Sequence, residues 1–176
     1  RYPLWSRGLG DVYKRQAQDM RDAVAMVRRV EQRSGRNVGI VVKLETLESM
    51  QNLPDILLEL MKHERVGVMV ARGDMAAELG IMHMVEAPRY VVNLCQAAQL
   101  PVIIGSNILE TLTDAGQPTR AEVTDAAWAQ QAECVMLNHG KHMVETVEAV
   151  GALLSAMDGV QRKNQSLLPS LHEWKR

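Results

Sequence analysis

Lys43, Glu45, Gly73, Asp74 and Ser106 are the residues of this chain whose types and spacing can do chemistry together. Lys43 and Glu45 stand two apart at the end of the run VGIVVKLE. Side chains of an extended chain alternate, so both share a face, with Val41 below them. An ammonium and a carboxylate side by side in an apolar setting are costly unless something uses them. Asp74 follows Arg72 and Gly73 at the end of a second run, VGVMVA. Gly73 lets a ligand approach the backbone closely, and a helix starting after Asp74 would offer unpaired N–H groups to a carboxylate or phosphate. Ser106 and Asn107 close a third run, PVIIGS. Two carboxylates from neighbouring strand ends suit magnesium, which takes one or two carboxylates and fills its shell with water and substrate oxygens. A lysine beside them suits a phosphoryl group or a developing enolate. The chemistry is that of a metal-assisted site for a small phosphorylated or keto-acid ligand.

Each residue also has a plainer reading. Lys43 and Glu45 make a structural ion pair at a strand end, and Asp74 caps the helix of an ordinary βα turn. Ser106 and Asn107 serve as turn residues. His139 and His142 lie three apart in a loop with no thiolate or third histidine nearby, so solvated side chains are expected rather than metal ligands. The methionine-rich faces read as core.

The elements that must position these residues alternate between two periods. A helix is expected over 17–33, with Met20, Val24, Val27 and Val30 on one face and Gly35 ending it. A strand over 38–45 follows. A helix over 47–63 contains Pro54, which predicts a kink or a break into two pieces. Then come a strand over 66–71, a short helix after Asp74, a helix over 83–99, and a strand over 101–106. The helix over 119–131 has a capping box of Thr119 and Glu122 after Pro118. A strand over 134–138 and a helix over 143–157 complete the series. Short β-branched strands alternating with helices define parallel βα units in an α/β protein. Pattern alone allows a doubly wound sheet or half of a (β/α)8 barrel; no G-x-G-x-x-G follows any strand, which weighs against dinucleotide binding. In both, the carboxyl ends of the strands carry the site.

Composition narrows the setting. Of 176 residues, 47% are hydrophobic and 23% charged, with net charge −1, so nothing points to nucleic acid or a membrane surface as partner. Cys95 and Cys134 lie in apolar segments and read as reduced, buried thiols of a cytoplasmic protein. No apolar run approaches the ~20 residues that span a bilayer. Residues 1–16 follow neither period; GLGDVYKRQ resembles a translated sequencing-adaptor scar, the alternative being a native arm. The expected organisation is a non-native or disordered arm over 1–16, a half-barrel over 17–159 and a loosely attached tail over 160–176.

Taken together, the stretches VVKLET (41–46), VMVARGDMAAE (68–78), PVIIGSNILETL (101–112), PTRAEVTDAA (118–127) and AECVMLN (132–138) resemble the pyruvate kinase family in order and spacing. The resemblance implies the second half of a (β/α)8 TIM barrel. It implies a phosphotransferase of glycolysis that converts phosphoenolpyruvate and ADP to pyruvate and ATP, dependent on Mg2+ and K+. Lys43 then corresponds to the lysine that stabilises the transferring phosphoryl group and the enolate, and Glu45 and Asp74 to the magnesium ligands. Gly73 and Asp74 offer backbone N–H groups to the substrate carboxylate, and Ser106 stands where a substrate-contacting threonine is usual. Ala76, Asn107 and the loop Asn138-His139-Gly140-Lys141-His142 depart from the family pattern of a glycine, a glutamine and a Ser-Gly-Glu-Thr turn. The K+ ligands and a phosphate-gripping arginine are expected in an N-terminal half missing here, and no regulatory domain is expected after residue 157. The chain alone is therefore expected to be inactive, and its two raw sheet edges to favour a homo-oligomer or aggregation. Two other readings use the same residues: a magnesium-dependent lyase or aldolase of pyruvate enolates, and a non-catalytic paralogue that binds a metabolite.

Overall fold

The computed structural model describes residues 16–165. The arm over 1–15 and the tail from 166 lie outside the described residues. The chain divides into two compact units, one of residues 1–107 with 131–136 and the other of 108–130 with 137–176.

The first unit is built on parallel strands. β1 (Ile40–Leu44), β2 (Val66–Ala71), β3 (Val102–Ile108) and β4 (Cys134–Leu137) form one sheet in the order β1-β2-β3-β4. β1 pairs with β2, and β2 with β3, in parallel. Spatial order equals chain order, whereas a doubly wound sheet reverses order at a switch point. This resolves the choice that pattern left open, in favour of the barrel-type sheet.

One face of β1, β2 and β3 supplies the core. Val42 and Leu44, Val68 and Val70, Val102 and Ile104 are all buried. The helices contribute buried faces of their own: α3 (Leu53–Leu60) buries Leu53, Ile56, Leu57 and Leu60, and α5 (Ala87–Ala97), which packs on β2, buries Val91, Val92 and Cys95. α1 (Ala17–Ser34) lays Met20, Ala23 and Val24 against α3 and ends at Gly35, whose φ of 66° is the left-handed conformation that glycine adopts at no steric cost. Residues on the opposite face, Val41, Lys43, Met69 and Ile103, are less buried.

Glu31 on α1 pins the amino end of the sheet. Its Oε1 accepts the Val38 amide at 2.8 Å, and its Oε2 lies 3.3 Å from Nε2 of the buried His63. Nδ1 of His63 accepts the Arg65 amide, which assigns the proton to Nε2. The helix expected over 47–63 is broken into α2 (Leu47–Gln51) and α3, with Pro54 in the first turn of the second piece, where its missing N–H costs nothing.

The second unit holds α6 (Glu110–Ala115), α7 (Arg120–Ala129) and α8 (Met143–Gln165). The Thr119 capping box forms as expected: Thr119 Oγ1 accepts from the Glu122 amide, and Glu122 Oε2 from the Thr119 amide. The buried hydroxyls of Thr113 and Thr146 meet at 3.1 Å and donate to the Leu109 and His142 carbonyls.

Several expectations need correction. α6 went unread: six residues are too few to show a period, although Gly116 with φ 79° marks its end. α8 runs on to Gln165, eight residues past its expected end and into the expected tail; Gln, Arg and Lys are good helix formers. Cys134 is exposed, not buried, since it opens an edge strand. The methionines divide: Met20 and Met75 are core, while Met26 and Met82 are exposed.

Candidate active site

The site begins where β1 ends. Leu44 is locked in the core, and Thr46 starts α2 with a capping box in which Thr46 Oγ1 accepts the Ser49 amide and Ser49 Oγ accepts the Thr46 amide. Glu45 is held between these two fixed neighbours and is 7% exposed. The signal for this support, a Thr followed three residues later by Ser, is in the sequence, outside the residues expected to form the site.

Lys43 stands on the less buried face of β1, in register with Met69 of β2, itself in register with Ile103 of β3. Its ammonium lies 2.8 Å from Glu45 Oε2 and 3.0 Å from Asp74 Oδ2. The two carboxylate oxygens can therefore be no farther apart than those two distances laid end to end. Burial draws the Lys43 pKa down, but its hydrogen bonds to Glu45 and Asp74, and their charges, outweigh this and leave it above the ordinary 10.5. Among the described residues Glu45 Oε2 is shut off from solvent and without a well-aligned hydrogen bond, so its contact with this ammonium is an ion pair.

Asp74 comes from α4 (Arg72–Leu79). The helix starts earlier than expected, so Ala71 is its N-cap and Asp74 lies within its first turn. Asp74 does not cap the helix: its carboxylate goes to Lys43. Ala71 makes no side-chain cap, so none occupies the first-turn N–H groups from the N-cap position. Gly73 is exposed in that first turn. Of the eight residues of α4, Met75 is the buried one. Ser106 stands on β3, and its side chain lies outside the described residues. Next to it Asn107 adopts φ 61°, a conformation asparagine tolerates far better than glutamine does. The structure thus brings Lys43, Glu45 and Asp74 into direct contact, with Gly73 beside Asp74.

Two hard oxygen donors side by side suit magnesium. No group of three or more His, Cys, Asp or Glu side chains converges among the described residues, so a cation here would find two carboxylates. His139 and His142 fall in the second unit. The His142 ring packs against Gly116 and lies 3.5 Å from Glu145, a role in loop packing. No described helix is long and apolar enough to cross a membrane.

A sequential parallel sheet with its charged groups gathered past the carboxyl ends of its strands is the architecture of a (β/α)8-barrel enzyme. A family model described as pyruvate kinase, barrel domain, matches residues 11–147. The chain belongs to the pyruvate kinase family. It is 34% identical over 136 residues to the chloroplastic pyruvate kinase isozyme G of Nicotiana tabacum, covering 74% of this chain and 23% of that protein. It is 36% identical over 133 residues to the pyruvate kinase of Leishmania mexicana, covering 72% and 26%. A crystal structure of a pyruvate kinase from Cryptosporidium parvum matches with a TM-score of 0.73 at 27% identity, over 81% of this chain and 30% of that one. The chain spans about a quarter of the length of these curated relatives. The family match begins at residue 11, inside the stretch read as an arm, and Gln16 caps α1 and donates to Glu48 at 2.7 Å.

Proposed function

We propose that this segment is the metal and phosphoenolpyruvate side of an enzyme that transfers a phosphoryl group from phosphoenolpyruvate to ADP, giving pyruvate and ATP in glycolysis. The observation that carries the reading is the single ammonium shared by Glu45 and Asp74. Lys43 supplies fixed positive charge where the transferring phosphoryl oxygens and the enolate oxygen develop negative charge. Glu45 and Asp74 hold magnesium, which when bound supplies Lewis-acid neutralisation of phosphoryl and enolate oxygens. The first-turn amides at Gly73 and Asp74 receive the substrate carboxylate, and the Ser106 hydroxyl contacts the substrate. Potassium ligands, the remaining phosphate contacts and most of the nucleotide site belong to the other half of the barrel.

The test is a lactate dehydrogenase-coupled assay of a complete pyruvate kinase polypeptide carrying this segment. Pyruvate formation that requires both phosphoenolpyruvate and ADP, and is lost in Glu45→Ala, is the expected result. Cleavage of a 2-keto-hydroxy acid without ADP would select a lyase instead. Ligand binding with no turnover would select a non-catalytic paralogue. The 176-residue chain by itself is expected to form no pyruvate.

A further inference from the structure

We infer that the Lys43–Asp74 contact is a gate that opens when a divalent cation binds, while the Lys43–Glu45 contact persists. The inference rests on the proposed metal role of Glu45 and Asp74 and concerns what Lys43 must do to permit it.

The three groups differ sharply in burial. The side chain of Glu45 is 8% exposed, that of Lys43 21%, and that of Asp74 61%. A divalent cation drawn to both carboxylates meets an ammonium already bonded to each, and the two positive charges repel. One of the two contacts must yield. Breaking the buried contact would take the ammonium from Glu45 Oε2, an oxygen shut off from solvent, where water cannot replace it. Breaking the contact to Asp74 frees a carboxylate that water already reaches, a far smaller loss. Glu45 is able to serve both partners, because a carboxylate has two oxygens and Lys43 takes only Oε2. Asp74 also sits on the exposed side of a thinly buried helix, Met75 being the one buried residue of α4.

The consequence for the chemistry is directional. A lysine released from Asp74 but still tethered to Glu45 has free N–H donors for a third acceptor. The phosphoryl or enolate oxygen of the substrate is the group of matching charge. Cation binding would therefore prepare Lys43 for substrate, and Lys43 would oppose cation binding until it moves.

The test uses a complete pyruvate kinase polypeptide carrying this segment, with Mn2+ and Mg2+ alone as probes. Mn2+ affinity is read by electron paramagnetic resonance for the wild type, Asp74→Asn and Lys43→Met. The Lys43 ammonium is followed by 15N NMR during a Mg2+ titration of the wild type. Expected are saturable Mn2+ binding that Asp74→Asn removes, affinity about tenfold higher in Lys43→Met, and Lys43 resonances that shift as Mg2+ saturates the site. Mg2+ binding with the Lys43 resonances unmoved overturns the gate and leaves the metal site standing. Absence of Mn2+ and Mg2+ binding, or binding indifferent to Asp74→Asn, overturns the metal reading itself. Should Lys43→Met fail to fold, the wild-type titration decides alone.

Discussion

At the scale of single residues, the site is lopsided. Losing one partner of a buried pair costs ~3–5 kcal/mol, whereas an exposed pair contributes ~0–1 kcal/mol. Glu45 and Asp74 both touch Lys43, but only Glu45 is buried. Glu45→Ala is therefore expected to lower unfolding free energy by about 3 kcal/mol and Asp74→Ala by less than about 1 kcal/mol. Urea denaturation of the three proteins at neutral pH measures the difference; equal losses would mean that Asp74 is a structural partner after all. How far this was legible in the sequence varies by residue. Lys43 and Glu45 were readable because strand alternation is strict. Asp74 was harder, because its place depends on a helix start three residues earlier than the sequence marks, after an alanine that gives no capping signal. Asn107 read as a mere departure from the family pattern; its backbone angle supplies the physical reason for it.

At the scale of elements, the fold has a fastening at each unit. In the first, Glu31 ties α1 to the entry of β1 and, through His63, to that of β2. The Val38 amide chiefly, with His63 and Arg65, holds its carboxyl below the ordinary 4.5, against a smaller opposing effect of burial. A depressed carboxylate stabilises the fold fully above its unfolded pKa and loses that contribution as pH falls through the folded value. The urea midpoint should thus fall on acidification below about pH 4.5, and Glu31→Gln should start lower and fall less steeply. A variant that tracks the wild type throughout would remove Glu31 from this role. In the second unit the loop 138–142 is fastened by Gly140. A Cβ there would meet Thr113 Cγ2 at 2.5 Å and the Thr113 carbonyl oxygen at 2.6 Å, while the neighbouring His142 amide donates to that same oxygen. Gly140→Ala is expected to cost about 2 kcal/mol or more, read as a lowered thermal midpoint, because backbone must move to admit the methyl. Neither fastening could be read in advance: each joins residues distant in sequence through contacts that no local period records.

At the scale of the whole molecule, element type and order were legible apart from the short α6, because alternation of two hydrophobic periods is a property of the entire chain. Strand order and exposure were not, because a β-branched run looks the same in the centre of a sheet and at its edge. The two cysteines display this. Burial, reinforced by the nearby Glu133 charge, pushes the Cys95 thiol up to about 12, whereas Cys134 is open at the start of β4. At neutral pH one thiol per native chain should react with Ellman's reagent, at Cys134, and the second only on unfolding. Prompt reaction of both would mean that α5 leaves the sheet readily. α4 carries a last consequence for the molecule as a unit. Since Met75 is its one buried residue, substitutions at the exposed positions of this helix would spare the core while displacing Asp74. Variants of that kind would express and purify like the parent, so a screen for yield or heat resistance would pass them, and only a titration with metal would find them out.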